Sequence, residues 1–226
     1  MEAGDRNVVT GLPPMRRIRR FAAVLGTLAI VGFAALLWKV VAKRGEPIGP
    51  DEPLGRLFAA GRTGILTGAC RTLHWAGHPF VLLALGAAAA LAAWRRRCRP
   101  VALLVLAVTV GAMALAEGIK PLLNRARPDP ALWLVSTQGG SFPSGHATSV
   151  TAMALLGIGL AWTRGPSSAA RWVWLAGGVL LCVGTGLSRV YLGVHHPSDV
   201  AAGGTLGTAW LCLCWLRFMR DDSASS

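Results

Sequence analysis

Acidic residues are few in this sequence. Ten Asp and Glu stand against 23 Lys and Arg, charged residues make up 15% of the 226 positions, and 53% are hydrophobic with a mean hydropathy of +0.50. So little charge excludes an ordinary soluble domain and makes a polytopic membrane protein the default class. The few carboxylates form no cluster suited to Mg²⁺ or Zn²⁺. Cysteines are also few, and odd in number at five. Cys182, Cys212 and Cys214 lie inside apolar runs, which argues against a disulfide framework. Cys212 and Cys214 project about 200° apart on a helix, so they cannot share a metal, and all three read as small buried hydrophobes. Cys98 in an Arg-rich loop and Cys70 in an amphipathic stretch suggest no chemistry. Internal repeats and low-complexity domains are absent too. The formal charge of +13 comes in short basic clusters between apolar runs. A nucleic-acid binder would need one exposed basic face, so nucleic acid is excluded as a partner.

What is present is a series of apolar runs. A spanning helix needs roughly 20 largely apolar residues, and six segments qualify, at about 21–42, 77–94, 101–119, 146–162, 172–188 and 199–217. The first is too long for a cleaved signal and lacks a small-residue cleavage site, so it reads as a retained span. Lys and Arg concentrate on the cytoplasmic side of such proteins. With both termini inside, the inner segments hold 13 of the 23 basic residues, a net +9 against +4 outside. The expected layout is a cytoplasmic tail at 1–20, one six-span domain at 21–218 and a cytoplasmic tail at 219–226. Between the first two spans, Leu54, Leu57, Phe58, Gly61 and Ile65 recur at helical spacing with Arg56 opposite. This predicts one short amphipathic helix within 54–71, lying on the headgroups or packed on the bundle as a cap.

Three segments at the outer ends of spans three to six carry the polar chemistry. They are KPLLNRARP with Lys120 and Arg127, FPSGHA with Ser144, Gly145 and His146, and LSRVYLGVHHPSD with Ser188, Arg189, His195 and Asp199. Two Arg forks and a Lys point charge suit a tetrahedral oxyanion. Ser144 and Gly145 stand where free backbone N–H groups and the helix dipole favour an anion. Asp199 follows His195 by four residues, a spacing at which it can hold one ring nitrogen as N–H and leave the other as nucleophile. His146 can protonate a departing oxygen. Taken singly, each residue has a plainer role: headgroup anchoring for Lys120 or Arg189, and capping for Pro143 or Ser144. Their joint pattern points to a phosphoryl site.

Lys120-x6-Arg127-Pro128, Pro143-Ser144-Gly145-His146 and Ser188-Arg189-x5-His195-x3-Asp199 resemble the complete tripartite signature of the type 2 phosphatidic acid phosphatase superfamily, which also contains vanadium haloperoxidases. The resemblance covers roughly 117–200 and implies an all-α, six-span bundle with a site that needs no metal or other cofactor, which agrees with the lack of a carboxylate cluster. It implies that His195 attacks phosphorus to form a phosphohistidine, that Asp199 orients it, and that His146 protonates the leaving group and then activates water. Lys120, Arg127, Ser144, Gly145 and Arg189 would bind the phosphoryl oxygens.

Other residues stay nearer a structural role. Arg125 is open between touching a second phosphate and anchoring at the interface, and Ser188 is a possible accessory. His196 points about 100° from its neighbour if helical, which favours a loop role. Glu117 sits one turn before Lys120 and can pair with it. His74 and His78 border the second span as interfacial residues. Gly203-x3-Gly207 and Gly157-x-Gly159 read as close-packing positions. Trp38, Trp75, Trp94, Trp162 and Trp172 fall near span ends, as in an aromatic belt.

The expected function is a metal-independent membrane lipid phosphatase, with the bilayer and a lipid phosphate as its partners and no assignment of oligomeric state. The Ala-, Gly- and Arg-rich composition suits a high-GC bacterium, which places the protein in the cytoplasmic membrane with the site on the outer side. Undecaprenyl diphosphate leads as substrate, because an outward site is where the spent cell-wall carrier emerges and GGSFPSGHA resembles the bacterial branch that handles it. Phosphatidic acid, phosphatidylglycerol phosphate and diacylglycerol pyrophosphate follow. The alternatives are a lipid phosphotransferase and, from another class, a non-catalytic lipid binder or flippase, against which the two histidines argue.

Overall fold

A computed structural model describes residues 15–164 and 167–219, and among these every regular element is helical. The order is α1 (Met15–Ala42), α2 (Asp51–Ala60), α3 (Gly64–Ala76), α4 (Pro79–Arg95), α5 (Arg99–Leu123), a 3₁₀ turn (Pro130–Leu132), α6 (Gly145–Arg164), α7 (Ser168–Tyr191) and α8 (Pro197–Phe218). α1 begins at Met15, inside the stretch expected as a tail. The remainder of the two expected tails, 1–14 and 220–226, lies outside the described residues.

Five helices (α1, α5, α6, α7 and α8) are long and apolar enough to cross a membrane, and α3 with α4 makes a sixth only as a pair bent by 47°. α4 alone has 17 residues, about 26 Å at 1.5 Å per residue, which is short of a hydrocarbon core of about 30 Å. Pro79 at its first turn and His78, whose Nδ1 accepts from the Phe80 N–H at 3.4 Å, start α4 abruptly after α3. The bend follows from that restart.

α8 is the central helix, packed against α1, α5, α6 and α7. In its most apolar window 56% of residues are buried, against 17% in α1. α1 instead presents Phe21, Val24, Leu28, Val31 and Trp38 outward, as a lipid-facing helix does. α6 and α8 approach closely because Gly203 and Gly207 carry no side chain. A Cβ on Gly203 would lie 2.6 Å from the Ser144 carbonyl and 2.9 Å from the Ala147 Cβ. Gly157 and Gly159 make room for the rings of Trp174 and Trp215. All five cysteines are free, with Cys212 and Cys214 buried as expected but Cys182 only half-buried.

The single amphipathic helix expected within 54–71 is two helices, α2 and α3. Arg62 breaks it by turning inward to donate to the Leu132 carbonyl at 2.7 Å and the Tyr191 carbonyl at 2.9 Å. Thr63 then caps α3, its hydroxyl accepting from the Leu66 N–H at 3.3 Å, while its own N–H donates to the Tyr191 hydroxyl at 2.9 Å. Both short helices pack on α7, so they cap the end of the bundle where α5 and α7 finish and α6 and α8 begin.

Candidate active site

That end of the bundle gathers the three polar segments. α5 stops at Asn124, which takes a left-handed φ of 40° and donates its N–H to the Lys120 carbonyl at 2.8 Å. Lys120 therefore sits in the last turn and reaches the start of α6. Its Nζ donates to Glu117 at 2.5 Å, and a Cβ on Gly145 would lie 3.5 Å from that Nζ. The pairing with Glu117 was legible from the three-residue spacing.

Arg127, in the loop after α5, is committed through all five donors. It donates to the carbonyls of Gly139, Val194, Gln138 and Gly140 at 2.7–3.1 Å, and its Nη1 also faces His195 Nε2 at 3.3 Å. A guanidinium cannot accept, so Nε2 of His195 holds its lone pair and Nδ1 carries the proton. Burial pushes the His195 imidazole down to about 4, with the neighbouring Asp199 carboxylate opposing the shift. Burial likewise lowers Arg127, opposed by Asp199 and Glu117.

Asp199 stands in the first turn of α8, with Pro197 fixing the turn before it. Its Oδ2 accepts from the His196 N–H at 2.8 Å and the Ser141 hydroxyl at 2.5 Å, and lies 3.7 Å from His195 Nδ1. That last separation exceeds a hydrogen bond, so the carboxylate acts on His195 through charge. Ser141 Oγ, 3.5 Å from Nδ1, stands between them. His196 takes the loop role expected of it, capping α8, and burial lowers its pKa.

Arg125 does not face the phosphate cradle. Its Nη1 donates to Asp199 Oδ1 at 2.5 Å and Ser198 Oγ at 2.8 Å, its Nη2 to Asp51 Oδ2 at 2.9 Å and the Glu46 carbonyl, and its Nε to the Gly45 carbonyl. With no side-chain exposure and no donor left, it is a structural cation tying α2 to α8. Removing one partner of such a buried pair costs about 3–5 kcal/mol, because the other charge is left uncompensated. Ser188 is also withdrawn, its buried hydroxyl donating to the Thr185 carbonyl at 2.7 Å.

Arg189, at the end of α7, is 1% exposed and has no carboxylate on it among the described residues. Its Nη1 donates to His74 Nδ1 at 2.7 Å, while its Nε and Nη2, like the Ser144 hydroxyl, are buried with no hydrogen-bond partner among the described residues. Buried donors in that condition take up water or an ion, and these are suited to an anion. His146, in the first turn of α6, stacks on His74 with ring centroids 5.0 Å apart. A cavity of about 690 Å³ opens beside His195 and Arg127, walled by Glu52, Arg62, Asn124 and Asp129.

Sequence reasoning therefore located Lys120, Arg127, Ser144, Gly145, His146, Arg189, His195 and Asp199 at one end of the bundle. It missed Ser141 and Asp51, and it left His74 at the interface. FPSGH lies only a step from Ser141, but no spacing rule singles out that serine.

A family model described as the PAP2 superfamily matches residues 100–222. The chain is 41% identical over 165 residues to the decaprenylphosphoryl-5-phosphoribose phosphatase of Mycolicibacterium smegmatis, covering 70% of this chain and 82% of that one. It is 29% identical to the undecaprenyl-diphosphatase of Sulfolobus acidocaldarius over 58% of this chain and 59% of that one. Among solved structures, the transmembrane PAP2-type phosphatidylglycerolphosphate phosphatase of Bacillus subtilis superposes with a TM-score of 0.67 at 25% identity, covering 85% of this chain and 93% of that one.

Proposed function

Because the chain belongs to the PAP2 superfamily of membrane lipid phosphatases, we propose that it hydrolyses a phosphate monoester on a sugar carried by a polyprenyl phosphate, through a phosphohistidine on His195. The observation that carries the substrate class is the 41% identity over most of a decaprenylphosphoryl-5-phosphoribose phosphatase. The cavity beside His195 and Arg127, with Glu52, Arg62, Asn124 and Asp129 on its wall, supports a hydrophilic group at the reacting end. Undecaprenyl diphosphate, the substrate that led on sequence alone, becomes the second reading, favoured by the weaker similarity to an undecaprenyl-diphosphatase.

The geometry supports the following steps. The lone pair on His195 Nε2 forms an N–P bond as the P–O bond to the leaving group breaks, and His146 supplies the proton that the departing oxygen takes. Asp199, 3.7 Å from Nδ1, stabilises the positive ring of the phosphohistidine. Water, deprotonated by His146, then attacks phosphorus as the N–P bond breaks, which returns the lone pair to His195 Nε2 and releases orthophosphate. Arg189 Nε and Nη2, Ser144 Oγ, Lys120 and the one Arg127 Nη1 hydrogen that faces His195 bind the equatorial oxygens. Fixed donors of this kind, aimed where charge develops, are what phosphoryl transfer requires.

The leaving group separates the two readings. A sugar alkoxide is a poor leaving group and needs the proton from His146, whereas a lipid phosphate leaves readily without it. Purified full-length protein assayed for phosphate release against decaprenylphosphoryl-5-phosphoribose, undecaprenyl diphosphate and phosphatidylglycerol phosphate is expected to prefer the first. His195→Ala should abolish release and the trapping of labelled phosphoenzyme on all three. A clear preference for the diphosphate would transfer the assignment to the second reading, and turnover by His195→Ala would remove the mechanism. The charge asymmetry of the loops supports both termini on the cytoplasmic side of a bacterial membrane and the site on the other.

A further inference from the structure

His74 lies in α3, a helix that none of the three signature segments includes, yet it touches two of the site's residues. Its Nδ1 receives Arg189 Nη1 at 2.7 Å. A guanidinium only donates, so Nδ1 carries no proton and His74 is an acceptor there. On its other side, His146 Nε2 lies 3.1 Å from the His74 carbonyl and 3.1 Å from His74 Nδ1. The carbonyl is an acceptor, and the one lone pair of His74 Nδ1 is already on Arg189, so Nε2 of His146 carries a proton and gives it to the carbonyl. The two rings stack at an interplanar angle of 22°, and His78 closes the group edge-on to His146 at 5.4 Å. With Nε2 occupied, Nδ1 is the nitrogen of His146 through which a proton can pass to or from the substrate.

We propose that His74 is a positioning residue for His146. Its stacked imidazole holds the ring of the group that protonates the leaving oxygen, its carbonyl sets the tautomer, and Arg189 in turn fixes the His74 ring through Nδ1. The inference rests on the acid role of His146. Nucleophile and acid are then oriented by separate devices. Asp199 and Ser141 set His195 from α8 and the loop before α6, whereas Arg189 and His74 set His146 from α7 and α3. Arg189 spends Nη1 on this task and keeps Nε and Nη2 for the phosphoryl oxygens, so the oxyanion site and the acid share one rigid guanidinium.

The test uses the full chain in detergent and two substrates, an alkyl phosphate that needs a protonated leaving group and p-nitrophenyl phosphate, which does not. His74→Ala should lower kcat on the alkyl phosphate about 10²-fold, the scale of a displaced general acid, and lower the aryl rate less than about threefold. His74→Leu, which fills the space without an acceptor, should do the same and serves where the alanine variant fails to fold. His74→Asn, whose amide oxygen can replace Nδ1, should recover most of the alkyl rate. In a double-mutant cycle with His146→Ala, the second substitution should add no further loss on the alkyl substrate. Equal losses on both substrates, or losses that multiply in the double variant, would overturn the proposal. If His146→Ala itself fails to separate alkyl from aryl phosphates, the acid reading is what fails. The cycle still reports coupling between the two histidines.

Discussion

At the scale of single residues, the site depends on which atoms still have something to bind. Arg125 and Arg127 lie two positions apart, yet one has every donor on carboxylates, carbonyls and the Ser198 hydroxyl, while the other keeps one N–H against His195. Arg189 differs again, with two buried donors unspent. His195 is held neutral by burial, its pKa pushed down to about 4. A lowered pKa for a cationic acid means the attacking form persists until the pH falls through that value. The acid limb of kcat/KM for p-nitrophenyl phosphate should therefore lie near pH 4 and not near the ordinary 6.5 of imidazole. A pH–rate series between 3.5 and 8 on the full-length enzyme checks this, and a limb at or above 6 would contradict the buried, neutral nucleophile.

At the scale of elements, the signature segments could be read because their chemistry is local. Ser144, Gly145 and His146 share one helix start, and His195 and Asp199 share one loop-to-helix junction, so spacing alone carries the geometry. Asp51 with Ser198, Arg62 with Tyr191 and His74 with His146 are 147, 129 and 72 positions apart, and no periodicity can announce such a pair. The split of the 54–71 stretch was illegible for the same reason, since the break is set by carbonyls at 132 and 191. The glycines of α8 were legible as packing sites, and they carry an element-scale prediction. Gly203 sits against the Ser144 carbonyl, so a side chain there pushes α8 from the start of α6. That movement would part His195 and Asp199 from Ser144 and His146. Gly203→Leu should lower kcat/KM by about 10²-fold or more, since misplacement by 1 Å has that effect. The same change at Gly177, which faces open space, should leave activity near wild type. Comparable losses at both positions would show that the α6–α8 approach does not set the site.

For the whole molecule, composition and apolar runs were enough to give a multi-span helical bundle. They could not show that the second candidate span reaches membrane length only as a bent pair of helices. The bend lets α3 lie across the end of the bundle, with His74 beside His146, before α4 descends. A site assembled at one end of spanning helices serves only one side of the membrane. On the proposed orientation, a cysteine placed at Gln138 in a Cys-free background should react with a membrane-impermeant maleimide in intact cells. One placed at Arg96, at the other end of α4, should react only after permeabilisation. The reverse pattern would invert the topology.

Arg127 has one more consequence. Its Nη1 lies on the lone pair of His195, so that nitrogen is covered by a cation anchored to four carbonyls. On the proposed mechanism a phosphate draws that N–H toward its own oxygens and uncovers the imidazole as it docks. A neutral electrophile has nothing to offer the guanidinium and meets a shielded ring. The contact thus filters compounds by charge before any bond is made, so inhibitors that carry an anionic group should reach His195 where uncharged alkylating or acylating reagents of similar size do not.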